Sequence, residues 1–561
     1  MMTINTALDF HQRGQLDDAR RAYESILRAD PGNAQALHFS GVLAYQNKQY
    51  DDAERLISQS IQIDASQPHY YCNYGMVLRD HGKYVLAVDA LNKAIALKPD
   101  YDEAYLNLSA AYFNLDKFAE SAQAARKTIE LNPTSVKAYD NLGTALRSLN
   151  DFPGSVQSYR RAIELDPGYV AAYSNLAATY FELKDLDAII ILCNQAIRLD
   201  PNHAYAYLYL GIAYQHQNDF AQAEKLMRHA EMLAPDNFMI KWNLGLVKLA
   251  MGDLPGGWAG YESRWYLETS PFAVQPFDYP WWQGESMPDK TLLVWWEQGV
   301  ADQIMFASMF EDLIARFKLC IIAVPKKLLP LFARSFPAAQ FIGNDDAGKL
   351  AALGSSVDVQ SAIGSLARWL RPDIASFPKK HHYLVADPVR VAYWKQRLDA
   401  LGPEPKVGIC WRSGNMTGGR IFYCSRIEQW GPILSLPGAQ FVNLQYDECS
   451  EELSRTPQLF GTSVHAFAEV DLFDDLDETA ALTTALDLVV AVPTNAAILA
   501  AALGTPAWML FSGYSWQSFG TDENRWYATA RSFGRAWSQP WEDFMPTVAQ
   551  QLKQELQKLP R

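Results

Sequence analysis

Three sets of residues in this chain have the types and spacing to do chemistry, and all lie in its second half. The first is Asp302, within the stretch 292–306, LLVWWEQGVADQIMF. An apolar run with two tryptophans, a turn holding Gly299, and then Ile304, Met305 and Met309 at helical spacing predict strand, loop and helix. A carboxylate at a helix N-terminus stays ionised, so Asp302 can accept a proton during a transfer or can simply cap the helix. The second set is Thr494 and Asn495, where a predicted helix would offer free backbone amides and its positive end to an anionic phosphate. The third is Arg412, Arg420 and Arg426, after the apolar run that ends at Trp411. An arginine fork suits phosphate oxygens, although each of the three reads equally well as a solvated surface charge. Gln445, at the end of its own apolar run, and Asp477 or Glu478, opening a helix, could hold the hydroxyls of a nucleoside. Asp474, Asp475 and Asp477 also show an Asp-x-Asp spacing, but carboxylates ahead of a helix are favoured by its dipole alone, and no metal site is expected.

The elements that would position these groups are strands alternating with helices. Strand-like runs fall at 292–296, 319–324, 340–342, 406–411, 440–444, 488–492 and 507–511, with helical stretches at 477–486 and 495–503. This alternation predicts two parallel α/β units, 291–400 and 401–561, bridged by a helix around 389–401. Ligands of such sheets sit outside the carboxyl ends of the strands, so the loop from Glu297 to Asp302 is expected to face a cleft. Residues 266–290, rich in proline and aromatics, read as a connector in which Trp281 and Trp282 plug onto a neighbouring domain.

The first half is periodic. Pro31, Pro99, Pro133, Pro167, Pro201 and Pro235 fall in one register of 34 residues, with Ala65 in the missing slot. A small residue recurs at Gly41, Gly75, Ser109, Gly143, Ala177, Gly211 and Gly245, where two antiparallel helices would cross closely. Two residues before it stand Asn73, Asn107, Asn141, Asn175 and, after Tyr209 interrupts the row, Asn243. Such a ladder of amides can pair with the backbone of an extended peptide, or it can cap and space helices. The row Tyr71, Tyr105, Tyr139, Tyr173 and Tyr207 reads as packing between helices.

With 561 residues the chain exceeds a single core, and 49% hydrophobic with 20% charged residues is ordinary for a globular protein. A formal net charge of −14 argues against nucleic acid or an anionic membrane as the main partner. The N-terminus has no basic region followed by an apolar core, so a cytoplasmic location is expected, without a membrane span. The most apolar window, 486–511, is broken by Pro493, Asn495, Gly504 and Pro506. Six cysteines are scattered without a CxxC pair, which predicts neither structural zinc nor a disulfide framework.

The period of residues 1–265, and phrases such as AYDNLGTALRSLNDFPGSVQSYRRAIELDP at 138–167, resemble the tetratricopeptide repeat, which implies an all-α superhelix with a concave peptide groove. The second half resembles the two-Rossmann, GT-B glycosyltransferases related to the heptosyltransferases, and the combination resembles the protein O-GlcNAc transferases. The phrases EQGVADQIMFA, KVGICWRSGN, FVNLQYDE, RWYATARSF and the long segment DETAALTTALDLVVAVPTNAAILAAALGTPAWML carry this likeness. The resemblance implies a metal-independent inverting transferase with no cofactor beyond a nucleotide-sugar donor. It further implies that Asp302 is the base, 291–400 the acceptor side and 401–561 the donor side. The acceptor would be a Ser or Thr hydroxyl of a protein held by the repeats, with flagellin or another surface protein suggested by the resembling fusions. Two other readings stay open: a peptide-binding scaffold whose second half has lost catalysis, and a transferase acting on a glycan or lipid-linked acceptor.

Overall fold

A computed structural model describes residues 3–267, 275, 277–414, 423–521 and 523–559. They form two compact units, Met1–Ala206 and Tyr207–Arg561.

The first unit is a stack of helix pairs, from Ile4–Gln12 and Leu16–Ala29 to Val170–Glu182 and Leu186–Leu199. The glycine row is explained by what lies above it. A Cβ at Gly41 would come within 2.5 Å of the Ile57 side chain, and one at Gly75 within 2.5 Å of Leu91. At Gly143 the same neighbour is the Tyr159 ring, 2.8 Å away. In these three pairs a large side chain of the second helix thus lies on the glycine of the first, and the absent Cβ lets the two axes close. The turn inside each pair uses a left-handed residue at the repeat period: Lys48, Gly82, Asp116, Asn150 and Lys184 all have positive φ. That conformation ends the first helix and turns the chain back.

The second unit begins within the helix Ala204–His216 and continues with the helices Phe220–Leu233, Phe238–Ala250 and Leu254–Tyr261. Gly245 and Gly260 meet backbone to backbone, so that a Cβ on Gly260 would lie 2.6 Å from the Gly245 Cα and 2.8 Å from the Lys241 carbonyl. Two sheets follow. The first contains β1 (Met287–Trp295), β2 (Phe317–Val324), β3 (Gln340–Gly343) and β4 (Val359–Ala362), in the order β3-β2-β1-β4. The second contains β5 (Lys406–Cys410), β6 (Gln440–Asn443), β7 (Val464–His465), β8 (Leu488–Ala491), β9 (Ala507–Ser512) and β10 (Ala530–Arg535), in the order β10-β9-β8-β5-β6-β7. Every pairing is parallel. Because both faces of such sheets are covered, the interior strands read as apolar runs, as β8 does with four buried residues.

β4 was not expected, since its sequence VQSA lacks an apolar run. It is nevertheless wholly buried, because the Gln360 amide is satisfied on both sides. Its oxygen accepts from Trp295 Nε1 at 3.0 Å, and its nitrogen donates to the carbonyls of Phe277 and Tyr279 at 2.8 and 2.6 Å. The end of the connector therefore lies along this strand. Trp282 is buried there and donates its backbone N–H to the Gln360 carbonyl at 2.8 Å, while Trp281 remains 39% exposed. The bridging helix is Pro388–Asp399, capped by Asp387 and packed on the helix Leu476–Thr484. Among the described residues no helix is long and apolar enough to cross a membrane.

The glycine contact sets a specific expectation. Gly260→Ala should lower stability by about 1–3 kcal/mol, because backbone and not a flexible side chain must move aside. Thermal denaturation of the variant beside the parent measures this; an unchanged melting point would mean that the two helices can separate freely.

Candidate functional site

In a doubly wound sheet the ligand crevice lies outside the carboxyl ends of the strands, where successive connections leave to opposite sides. In the first sheet that point falls between β1 and β4, because β2 and β3 lie on one side of β1 and β4 on the other. In the second it falls between β5 and β8. The two crevices are filled very differently.

At the end of β1 the chain passes Trp295, which is fully buried, and reaches Glu297, which is 4% exposed. Glu297 does not face a cleft, contrary to expectation. Its carboxylate accepts from Arg264 Nε at 2.8 Å and Nη2 at 2.7 Å, and from the Gly364 backbone N–H, just after β4, at 2.7 Å. Arg264 is fully buried in the 3-10 turn Glu262–Tyr266. It also donates to Glu262 at 2.7 Å and to Ser365 Oγ at 2.9 Å, between the rings of Tyr261 (4.5 Å) and Trp265 (4.1 Å). Burial opposes its charge, but Glu297 and Glu262 hold its pKa above the ordinary arginine value. This ion pair closes the β1/β4 crevice. Nothing in the spacing of Arg264, Glu262 and Ser365 marks them as partners in the sequence.

Beyond Glu297, Gln298 takes a left-handed conformation (φ +63°) and donates to the Tyr261 hydroxyl. Gly299 then starts the helix Val300–Ala307, and its N–H donates to Asp302 Oδ2 at 3.3 Å. Asp302 thus accepts the N-cap N–H from the third helical position, half-buried in the first turn, while Gly299 has no side chain to return the bond. This helix packs against the helix Asn495–Leu503 of the second sheet, within one core.

At the β5/β8 crevice, β5 and β8 meet through the Val492 N–H, which donates to the Cys410 carbonyl at 3.1 Å. Thr494 follows and caps the helix Asn495–Leu503 in extended backbone; its hydroxyl donates to the Val492 carbonyl at 3.2 Å and to Cys410 Sγ at 3.4 Å. Asn495 occupies the first helical position, half-buried. The helix therefore starts at the β5/β8 switch point without a side-chain cap.

The other candidates are largely engaged by neighbours. Arg412 donates through Nε to Asp447 at 2.9 Å, through Nη1 to Glu452 at 2.5 Å and through Nη2 to the Glu448 carbonyl at 3.0 Å, so its fork is turned onto protein carboxylates and not left open for a phosphate. Gln445 is buried, and its oxygen accepts the Trp411 and Arg412 N–H groups at 3.1 Å each. Its nitrogen donates to the Arg412 carbonyl at 3.0 Å and to Asp447 at 2.6 Å, which ties two loops together. Asp477 pairs with Arg334 of the helix Leu329–Ser335, and Glu478 accepts from Arg390 at 2.7 Å and Trp394 Nε1 at 2.6 Å. Both carboxylates thus join helices of the two sheets. Arg426 is exposed, 3.9 Å from Glu542. Arg420 lies outside the described residues.

The asparagine row bonds from repeat to repeat. Within the first unit the Asn73 amide lies 3.1 Å from His38 Nε2, that of Asn141 donates to the Leu106 carbonyl at 3.4 Å, and that of Asn175 to Asp140 at 2.9 Å. Asn107 is buried and accepts from Arg79 at 3.0 Å while donating to the Glu103 carbonyl at 3.0 Å. In the second unit Asn243 donates to the Met239 carbonyl at 2.9 Å. Asn73, Asn107, Asn141 and Asn175 thus reach the preceding repeat, Asn243 bonds within its own helix, and Asn141 and Asn175 are half-buried.

The buried ion pair predicts a measurable asymmetry. Arg264→Met should cost about 3–5 kcal/mol, because Glu297 is left charged and buried without its partner, whereas adding Glu297→Leu should recover much of the loss. Chemical denaturation of the parent, single and double variants decides; equal stability of single and double variants would show that the two side chains are not coupled.

Models of the tetratricopeptide repeat match residues 10–71, 75–116, 102–135, 143–184, 170–203 and 192–225. Protein FlbA of Caulobacter vibrioides is 35% identical over 341 residues, which cover 57% of this chain and 55% of FlbA. The chain thus spans about half the length of that relative. Among solved structures, the crystal structure of MamA is 27% identical with a TM-score of 0.28, covering 30% of this chain and 96% of MamA. A tetratricopeptide repeat protein from Parabacteroides merdae is 19% identical with a TM-score of 0.39, covering 44% of this chain and 96% of its own. The N-terminal half of this chain is an array of tetratricopeptide repeats, a kind of scaffold that binds proteins or peptides, and it is followed by parallel sheets and helices.

Proposed function

We propose that the chain is a glycosyltransferase that moves a sugar from a nucleotide-sugar donor to a Ser or Thr hydroxyl of a protein recruited by the repeats. The observation that carries this reading is the β5/β8 switch point, where the helix Asn495–Leu503 starts without a side-chain cap at the carboxyl ends of two interior strands. That is where a doubly wound sheet takes an anionic ligand, and amides at a helix start suit a diphosphate. The helix opened by Asp302 packs on this same helix, which supports a proton acceptor and a leaving-group site carried by a shared core.

In the proposed reaction Asp302 takes the proton from the acceptor hydroxyl as that oxygen attacks the anomeric carbon, and the bond to the nucleotide diphosphate breaks with its electron pair leaving on the phosphate oxygen. Inversion at the sugar follows from attack opposite the leaving group. The amides after Thr494, with the Asn495 side chain, stabilise the charge that develops on the departing phosphate. Arg426 stands exposed beyond β5 and could add a cation there.

A second reading, a peptide-binding scaffold without donor, is favoured by one specific observation: Arg412, Gln445, Asp477 and Glu478 are all occupied by internal hydrogen bonds. Two measurements separate the readings. Calorimetry of the full chain with a panel of nucleoside diphosphates, with and without chelator, should find one that binds in both conditions; silence across the panel would favour the scaffold. Asp302→Asn should lower transfer by roughly 10²-fold or more with little change in donor affinity, as for a group acting mainly in the transition state. Normal turnover in that variant would reduce Asp302 to a helix cap.

A further inference from the structure

Away from the asparagine row, the first unit carries a groove of about 940 Å³ along the helix Phe152–Leu165. Pro153, Val156, Gln157, Arg160, Arg161 and Glu164 form one stripe of that helix, at the spacing of a single face. Ile129 of the preceding second helix, Tyr139 and Leu142 of Val136–Ser148, and the 44% exposed Leu183 supply apolar walls. A volume of this size lies within the range of about 300–1,000 Å³ that ligand sites occupy. Neither Asn141 nor Asn175 lines it.

The charge of this groove runs against that of the chain. The net charge of the chain is −14, yet three arginines and one glutamate line the groove. Arg126 and Arg160 hold the same repeat position, 34 residues apart, where the neighbouring repeats place Asn92 and Asn194. The same position holds Glu24 and Ser58 in earlier repeats and an arginine again at Arg228, so it is here alone that two successive repeats place arginines side by side. Arg126 is exposed and has no ion-pair partner among the described residues. Arg160 donates to the Tyr180 hydroxyl at 2.6 Å, and Arg161 reaches Glu164 at 2.8 Å, so both guanidinium groups are held over the groove by its own walls.

We propose that this groove docks a short acidic peptide segment bearing an apolar side chain. The carboxylates pair with the guanidinium forks of Arg126 and Arg160, and the apolar side chain rests among Ile129, Leu142 and Val156. Arginine held in place by a neighbouring hydroxyl loses less freedom on binding than a mobile lysine would, which suits it to this task. The site rests on the reading of the repeats as a protein-binding scaffold only in taking a peptide as its occupant. It needs neither donor nor transfer, so its failure would leave the glycosyl-transfer reading untouched.

The test uses the full chain and a labelled peptide of alternating aspartate and leucine, beside the same peptide with asparagine for aspartate. Fluorescence anisotropy should show binding of the first, weakened by added salt, and at least roughly tenfold weaker binding of the second. Arg126→Glu combined with Arg160→Glu should weaken the acidic peptide by roughly tenfold or more. If that variant melts early, Arg126→Gln alone should still weaken it and lower its salt dependence. Equal binding of the two peptides, or no effect of these substitutions in a folded chain, would overturn the proposal. So would binding to phosphatidylserine vesicles that the same reversal abolishes while the peptide stays unbound, since the groove would then serve a membrane surface.

Discussion

The second unit is organised around one buried ion pair, Arg264 with Glu297. Removing both charges from water is costly, and the attraction between them offsets that cost only because the remaining donors and lone pairs are also satisfied. Here they are: Arg264 reaches Glu262, Ser365 and the Tyr261 carbonyl, and Glu297 accepts from Gly364. Three segments meet in this network, namely the turn after the last repeat helix, the end of β1 with Gln298 against Tyr261, and the turn after β4. The position of the loop that leads to Asp302 follows from it. With Glu297 held from both sides, Gln298 is left to make the reversal into the helix, which it does in a left-handed conformation.

The same network explains why two sheets of like topology differ in what they can hold. The end of β1 in the first is occupied by protein side chains, whereas at the second switch point a helix starts without a side-chain cap. Near this second switch point Gln445 bridges the backbone just after β5 and Arg412 is held among Asp447, Glu452 and the Glu448 carbonyl. Asp477 and Glu478 fasten the helices of the two sheets to each other. Side chains whose chemistry could suit a ligand are here hydrogen-bonded to other parts of the protein.

In the repeats a comparable division holds between packing and surface. Ile57, Leu91 and Tyr159 settle on the glycines of the facing helices, and this contact recurs with the period and sets the helix spacing. Asn73, Asn141 and Asn175 link each first helix to the one before it. What varies from repeat to repeat, such as the arginines at 126 and 160, is what can distinguish one partner from another.

The sequence by itself determined the period, the helix pairs, the parallel α/β alternation and most of the interior strands, because each rests on a local pattern: a small residue at a crossing, an apolar run, a proline after a helix. It located the β1 loop and the helix after Thr494 for the same reason. It did not reveal β4, whose polar Gln360 is buried only because Trp295, Phe277 and Tyr279, distant in the chain, satisfy it. Nor did it distinguish an arginine open to a phosphate from one clamped by carboxylates, as Arg412 is, or a loop glutamate facing a cleft from one buried against Arg264, as Glu297 is. Residue type fixes which bonds a side chain can make; only the packing of segments far apart in sequence decides which partner comes within reach, and a charged group removed from water then has no choice but to take it.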